Sequence, residues 1–94
     1  MVTEIADFSI DPERGEQFVE AYRGARRLLL DAGASTVRMT RGVESPGRYV
    51  LLVEWTSVDQ HEAFRAGSTF GSWRAVIGPF FTADPHVEHV TAVD

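Results

Sequence analysis

The 94-residue sequence predicts a single α+β domain: a four-stranded antiparallel sheet with helices on one face, in the chain order β-α-β-β-α-β. Three observations carry that expectation. A long stretch after Pro12 repeats its apolar residues at the helical period. Residues 48–56 alternate as a strand does, with apolar side chains on both faces. Capping and turn residues divide the remainder into pieces of strand or short-helix length. With 44% apolar residues and 11% aromatic, the chain has material for a core, unlike a disordered segment. Its length fits one domain, since chains normally divide only beyond roughly 250 residues.

Residues 3–10 read as the first strand, with Ala6, Phe8 and Ile10 on one face and Ile5 on the other. Asp11 is placed to cap a helix, Pro12 suits its first position and Glu13 complements its dipole. From there to about Ala32, Phe18, Ala21, Tyr22, Ala25, Leu28, Leu29 and Ala32 share one arc, and Gly33 stops the helix. Glu16, Glu20, Arg23, Arg27 and Asp31 fall opposite, and the Arg23, Arg26, Arg27 cluster reads as a solvated face. Residues 35–42 alternate as a second strand, with Val37 and Met39 on one face. The Glu44-Ser45-Pro46-Gly47 turn leads to the third, where Tyr49, Leu51, Val53 and Trp55 oppose Val50 and Leu52. Ser57 and Gln60 form a capping box that opens a helix to about Ala66. A further helical stretch runs to about Phe81, bent or ended at Gly78-Pro79, and His86 to Val93 is the last strand.

This order is the split βαβ pattern of a ferredoxin-like sandwich. Helices cover one face of such a sheet and leave the other open. The third strand is apolar on both faces, and Ile5, Val37, Met39 and Val87 are counted with it as apolar cover for the open side. A wet surface of that size exceeds what monomers expose, so a homodimer packed sheet to sheet is expected. The net charge of −5 disfavours binding to nucleic acid or anionic lipid. The longest apolar run, Tyr49 to Val53, is far short of the ~20 residues of a membrane span. The N-terminus carries acids where a signal peptide carries cations, so a cytoplasmic location is expected. There is no Cys, which excludes disulfides, thiolate metal sites and Cys nucleophiles.

The segments Asp11 to Phe18, Arg48 to Ser57, Asp59 to Phe64, Phe70 to Phe81 and His86 to Val90 together resemble the antibiotic biosynthesis monooxygenase family. The resemblance spans Thr3 to Val93 and is most specific from Tyr49 to Phe81. It implies a ferredoxin-like protomer in a dimeric α+β barrel, with a pocket in each protomer between sheet and helices. Some members oxidise phenols or quinols to quinones with O₂ and no cofactor, and others degrade haem. Relative to the quinone-forming members, Trp55 matches a Trp that ends the third strand. His61 stands where they carry a phenolic side chain, Arg74 corresponds to an Arg in the last helix, and Leu51 replaces an Asn. Relative to the haem-degrading members, Ala6, Gly67 and Trp73 stand where Asn, Trp and His are used, so haem degradation is not expected.

The residues themselves leave two readings at each position. His61 suits general-base work near neutrality, or is a partly exposed helix histidine. Arg74 can pair a phenolate, or is a solvent-facing arginine lying over Trp73. Tyr49, Leu51, Phe64, Phe70, Trp73 and Ile77 with Trp55 can line an aromatic slot, or form plain core. Asp7 is either a second polar group of that pocket or a partner for Arg38 or Arg41. His86 and His89 point to opposite faces of a strand, and His61-Glu62 lacks the second histidine of a zinc HExxH motif, so no metal site is expected. No nucleotide or serine-hydrolase motif is present. The expected function is therefore cofactor-independent oxidation of a small phenolic, quinol or polyketide-type aromatic by O₂, with His61, Arg74 and Trp55 as the catalytic set. The alternatives are an O₂-independent isomerase, cyclase or decarboxylase, or a non-catalytic small-molecule binder.

Overall fold

The computed structural model describes residues 1–94. Strands β1 (Val2–Ser9), β2 (Thr36–Arg41), β3 (Arg48–Trp55) and β4 (His86–Val90) form one antiparallel sheet in the order β2-β3-β1-β4. Helices α1 (Gly15–Asp31), α2 (Val58–Ala66) and α3 (Ser68–Ile77) complete the ferredoxin-like α+β fold. The two central strands are paired along their whole length, from Val2 opposite Trp55 to Ser9 opposite Arg48. No helix is long and apolar enough to cross a membrane.

Local chemistry accounts for the element ends. Asp11 Oδ1 accepts the Glu13 amide at 3.0 Å, but the first turn, Pro12–Arg14, is a 3-10 turn and α1 begins only at Gly15. Gly15 has a packing reason as well: a Cβ there would lie 2.5 Å from the Tyr49 hydroxyl. At the other end Gly33 takes φ +114°, a left-handed conformation open to glycine. Ser57 Oγ accepts the Gln60 amide at 3.1 Å, and Gln60 Oε1 accepts the amide of Thr56 at 2.7 Å. The reciprocal arm of the capping box thus reaches one residue further back than the motif predicts. Pro79 ends α3, and Gly78–Phe80 forms a 3-10 turn in place of the helix expected to Phe81. β4 is shorter than expected because its partner runs out: Val90 already faces Thr3 near the start of β1.

The core lies between the helices and one face of the sheet. Its largest fully enclosed side chains include Phe18 and Leu29 of α1, Tyr49, Leu51 and Trp55 of β3, and Ile77 of α3. Phe18 sits edge-on to Tyr49, Phe8 and Phe80, with ring centroids 5.0, 6.3 and 5.7 Å away. Arg26 does not join the solvated face of α1. Its Nε and Nη2 donate to the Val37 carbonyl at 3.1 and 2.9 Å, tying α1 to β2.

The open face is less apolar than the sequence pattern suggests. Val37 is fully buried under the helices, Met39 packs against that same core, and Val87 faces the helix side beside Ala6. Strand parity places them there, because each shares the alternation of buried neighbours. The apolar part of the open face is Ile5, Val50 and Leu52, with Val90 at the edge.

Candidate functional site

The largest cavity, about 510 Å³, opens between the β1–β4 side of the sheet and the α2–α3 pair. That volume falls within the range of small-molecule pockets. Its wall is built from Ala6, Phe8, Phe70, Trp73, Ile77 and Val87, and its polar groups are Glu4, His61, Arg65, Arg74, Asp84 and His86. Of the residues expected from sequence to form a pocket, His61, Arg74, Phe70, Trp73 and Ile77 come together here.

The floor is a chain of four polar side chains in contact. Parity on β1 puts Glu4 on the helix side with Ala6 and Phe8, and it is only 6% exposed. Its Oε1 accepts from Trp55 Nε1 at 2.9 Å and lies 3.2 Å from His61 Nε2. His61 Nδ1 is in turn 2.7 Å from His89 Nε2 of β4, which the register sets opposite Glu4. The His61 ring also stacks on Trp55, with centroids 5.2 Å apart and planes 14° from parallel.

Burial decides the protonation states. It pushes the His61 pKa down to about 4, helped by the neighbouring His89 and Arg65, with Glu62 opposing. Burial also raises the Glu4 pKa above its usual value, against the Trp55 hydrogen bond and the Arg65 charge, which lower it. His61 is therefore a neutral imidazole near pH 7. A neutral ring carries one N–H, so Nδ1 and His89 Nε2 share one proton across their hydrogen bond, and Nε2 is left in contact with Glu4 Oε1. With the ring neutral, the approach to Glu4 is a close polar contact rather than an ion pair.

Arg74 sits at the cavity mouth. Its guanidinium lies 5.3 Å from the Phe81 ring centroid and 6.0 Å from that of Phe70, and no carboxylate pairs with it. Stacking on rings holds its orientation while leaving its donors free. Arg65, by contrast, is paired with Glu62 at 3.3 Å.

Five of the residues expected at the pocket stand elsewhere, and the slot read from sequence needs correcting. Trp55 is fully enclosed and does not line the cavity, meeting it only through Glu4 and the stacked His61. Phe64 is buried against Trp55 and Phe70. Leu51 is core, 1% exposed. Tyr49 lines a smaller cavity of about 260 Å³ beside Tyr22 and Met39. Asp7 points to the opposite face of the sheet and pairs with Arg48 at 2.8 Å, not with Arg38 or Arg41. Sequence reasoning misses Glu4 and His89. Parity is the available signal for Glu4, since it alternates with Ala6, Phe8 and Ile10 on the buried face. No group of three or more His, Cys, Asp or Glu side chains is arranged to hold a metal ion.

The model of the family described as antibiotic biosynthesis monooxygenase matches residues 1–76. The chain is 34% identical over 91 residues to the uncharacterised protein YczJ of Bacillus subtilis (strain 168), covering 95% of this chain and 96% of that one. A Bordetella bronchiseptica structure bearing the antibiotic biosynthesis monooxygenase name superposes with a TM-score of 0.93 at 36% identity, covering 98% of this chain and 96% of that one. SnoaB of Streptomyces nogalater, a cofactor-independent oxygenase, superposes with a TM-score of 0.80 at 18% identity, covering 99% of this chain and 93% of that one. At that identity the likeness to SnoaB is one of fold.

Proposed function

Because the chain belongs to the antibiotic biosynthesis monooxygenase family, we propose that it oxidises a small, electron-rich phenol or quinol with O₂ in the α2–α3 cavity, without a cofactor. The observation that carries the reading is the pairing of a buried carboxylate–imidazole floor with an aromatic wall and an unpaired arginine at the mouth. The oxygenase activity of SnoaB supports it as an analogy of fold.

The chemistry asks little of the protein. The floor takes the phenolic proton. The phenolate passes one electron to O₂, and the phenoxyl radical and superoxide so formed join at a ring carbon to give a peroxide. Loss of the hydrogen from that carbon, with cleavage of the O–O bond, releases one water and leaves the quinone. One phenol and one O₂ thus give one quinone and one water. Arg74 stabilises the anions along the way, a role worth about 10²- to 10³-fold in rate for a well-aimed donor. The aromatic wall keeps water from the radical pair. A second copy covering Ile5, Val50 and Leu52 of the open face completes the proposed assembly.

Oxygen consumption with a panel of substituted hydroquinones and naphthols tests the reaction. Uptake that tracks quinone formation and falls about a hundredfold in Arg74→Ala is the expected result. Turnover of the same compounds under strict anaerobiosis would instead establish an O₂-independent isomerase or decarboxylase.

A further inference from the structure

We propose that the proton acceptor of this cavity is Glu4, through Oε2, and that His61 is a positioning residue behind it whose tautomer is set by His89. The inference rests on the phenolic reading of the cavity and goes beyond it by assigning the base.

The two oxygens of Glu4 differ. Oε1 accepts from Trp55 Nε1 at 2.9 Å and has His61 Nε2 at 3.2 Å. Oε2 has no protein donor, and it is not among the fully enclosed polar atoms, of which the Tyr49 hydroxyl is the single unpartnered case. Glu4 lines the cavity, so Oε2 is the oxygen left to meet a ligand. The imidazole offers nothing comparable. Its Nδ1 is taken up in the 2.7 Å hydrogen bond with His89, and its Nε2 already lies 3.2 Å from Oε1 of Glu4 itself.

Proton affinities run the same way. Burial makes Glu4 a stronger base than a surface carboxylate and His61 a weaker one than a surface imidazole. The Trp55 N–H on Oε1 and the His61 ring packed against it hold the carboxylate in place, which is what a positioned base requires. In the proposed arrangement His89 Nε2–H donates across the 2.7 Å contact to Nδ1, which leaves the His61 proton on Nε2, on the Glu4 side.

The step is a simple transfer: the phenolic O–H bond breaks, the proton binds Oε2, and the electron pair stays on the phenolate oxygen. The ionisable groups around Glu4 are His61 and Arg65 of α2, His89 and His86 of β4, and, across the cavity, Arg74 and Asp84. Carboxylates and imidazoles ordinarily ionise below the alkaline range and guanidinium groups above it. An alkaline measurement therefore isolates the proton shared between Glu4 and its ligand.

The test uses 4-nitrophenol as the probe, with binding measured above its own ionisation. If Glu4 is the acceptor, the phenolate binds with uptake of one proton, and affinity falls about tenfold per pH unit. Glu4→Gln keeps an oxygen for the Trp55 donor but removes the base, so the slope should vanish. His61→Gln should keep it. A slope that survives Glu4→Gln, or one that disappears in His61→Gln alone, would overturn the assignment. A flat profile in the wild type would overturn it too. Absence of any binding would overturn the phenolic reading and this assignment with it. In the unsubstituted, ligand-free protein, imidazole nitrogen NMR should find His61 neutral with its proton on Nε2 at neutral pH. A bare Nε2 would refute the positioning role independently of the variants.

Discussion

Glu4 and Asp7 are two acids on one strand, and they live in different chemical surroundings. Glu4 lies under the helices, 6% exposed, bound by an indole and an imidazole. Asp7 lies on the other face of the sheet, where Arg48 Nε and Nη2 donate to it at 2.8 to 3.2 Å. An odd number of residues along a strand reverses the face, and that alone separates them. The contrast teaches that a carboxylate's usefulness comes from what it has lost. Asp7 keeps its counter-charge and its water. Glu4 has given up most of its water for one indole donor and a neutral imidazole neighbour, and its raised proton affinity follows.

The sharpest way to break the comparison is to neutralise each acid in turn. Glu4→Gln is expected to lower turnover of an oxidisable phenol by about 10²-fold or more, the scale of a general base. Asp7→Asn should leave turnover within about twofold and shift the melting midpoint by no more than a few degrees, as exposed ion pairs do. Equal losses in kcat/KM for the two variants would erase the distinction between the faces.

The same contrast recurs one strand away. Leu51→Asn places an amide among apolar side chains and should cost about 3 kcal/mol or more, read by urea denaturation. The family resemblance sets an Asn of the quinone-forming members at this position, yet here that amide would find itself in core and not at the cavity. Leu52→Asn, on the open face, should cost about 1 kcal/mol in an isolated chain. A much larger and concentration-dependent loss would instead mark Leu52 as covered by a second copy.

Acid titration sharpens the floor itself. The His61 pKa is lower folded than unfolded, so protonating the unfolded chain draws stability away as pH falls from about 6.5 to about 4. The full shift corresponds to at most about 3 kcal/mol. Glu4 acts with the opposite sign: its raised pKa makes the folded state bind the proton more tightly, so acidification through that pKa restores stability. The wild type should therefore lose less over this window than the His61 shift alone would remove. Glu4→Gln should show the His61 loss uncovered, and His61→Gln should gain stability on mild acidification, both measurable as shifts in the denaturation midpoint.

Much of the fold is legible in the sequence because its signals are local. The α1 arc, the Ser57–Gln60 cap, the Gly33 stop and the two-faced β3 all follow from spacing within a few residues. The site is legible in part. Arg74 is visible beside Trp73 on the more apolar helix and His61 as a neutral-range base on a short capped one, and the structure brings both to one cavity. Glu4 is legible in principle, through its parity with Ala6 and Phe8. Its partnership with His89 is not, because that depends on which residue of β4 falls opposite it, and register between strands distant in sequence has no local signature. Val37, Met39 and Val87 show the same limit. Their parity within each strand is plain, but which parity faces the helices is settled only when the sheet is assembled.

β4 has only five residues, is paired on one side alone, and carries the outermost imidazole of the floor. Short edge strands open and exchange their amide hydrogens long before the centre of a sheet does. The parts of the floor differ accordingly in permanence: Trp55 and Glu4 belong to the two central strands, while His89 rides on the margin. When β4 breathes, His61 loses its Nδ1 donor and meets water from that side. The lifetime of the ordered floor is thus expected to follow the fraying of the sheet's outermost strand, and deuterium uptake at His89 and Val90 would be its clock.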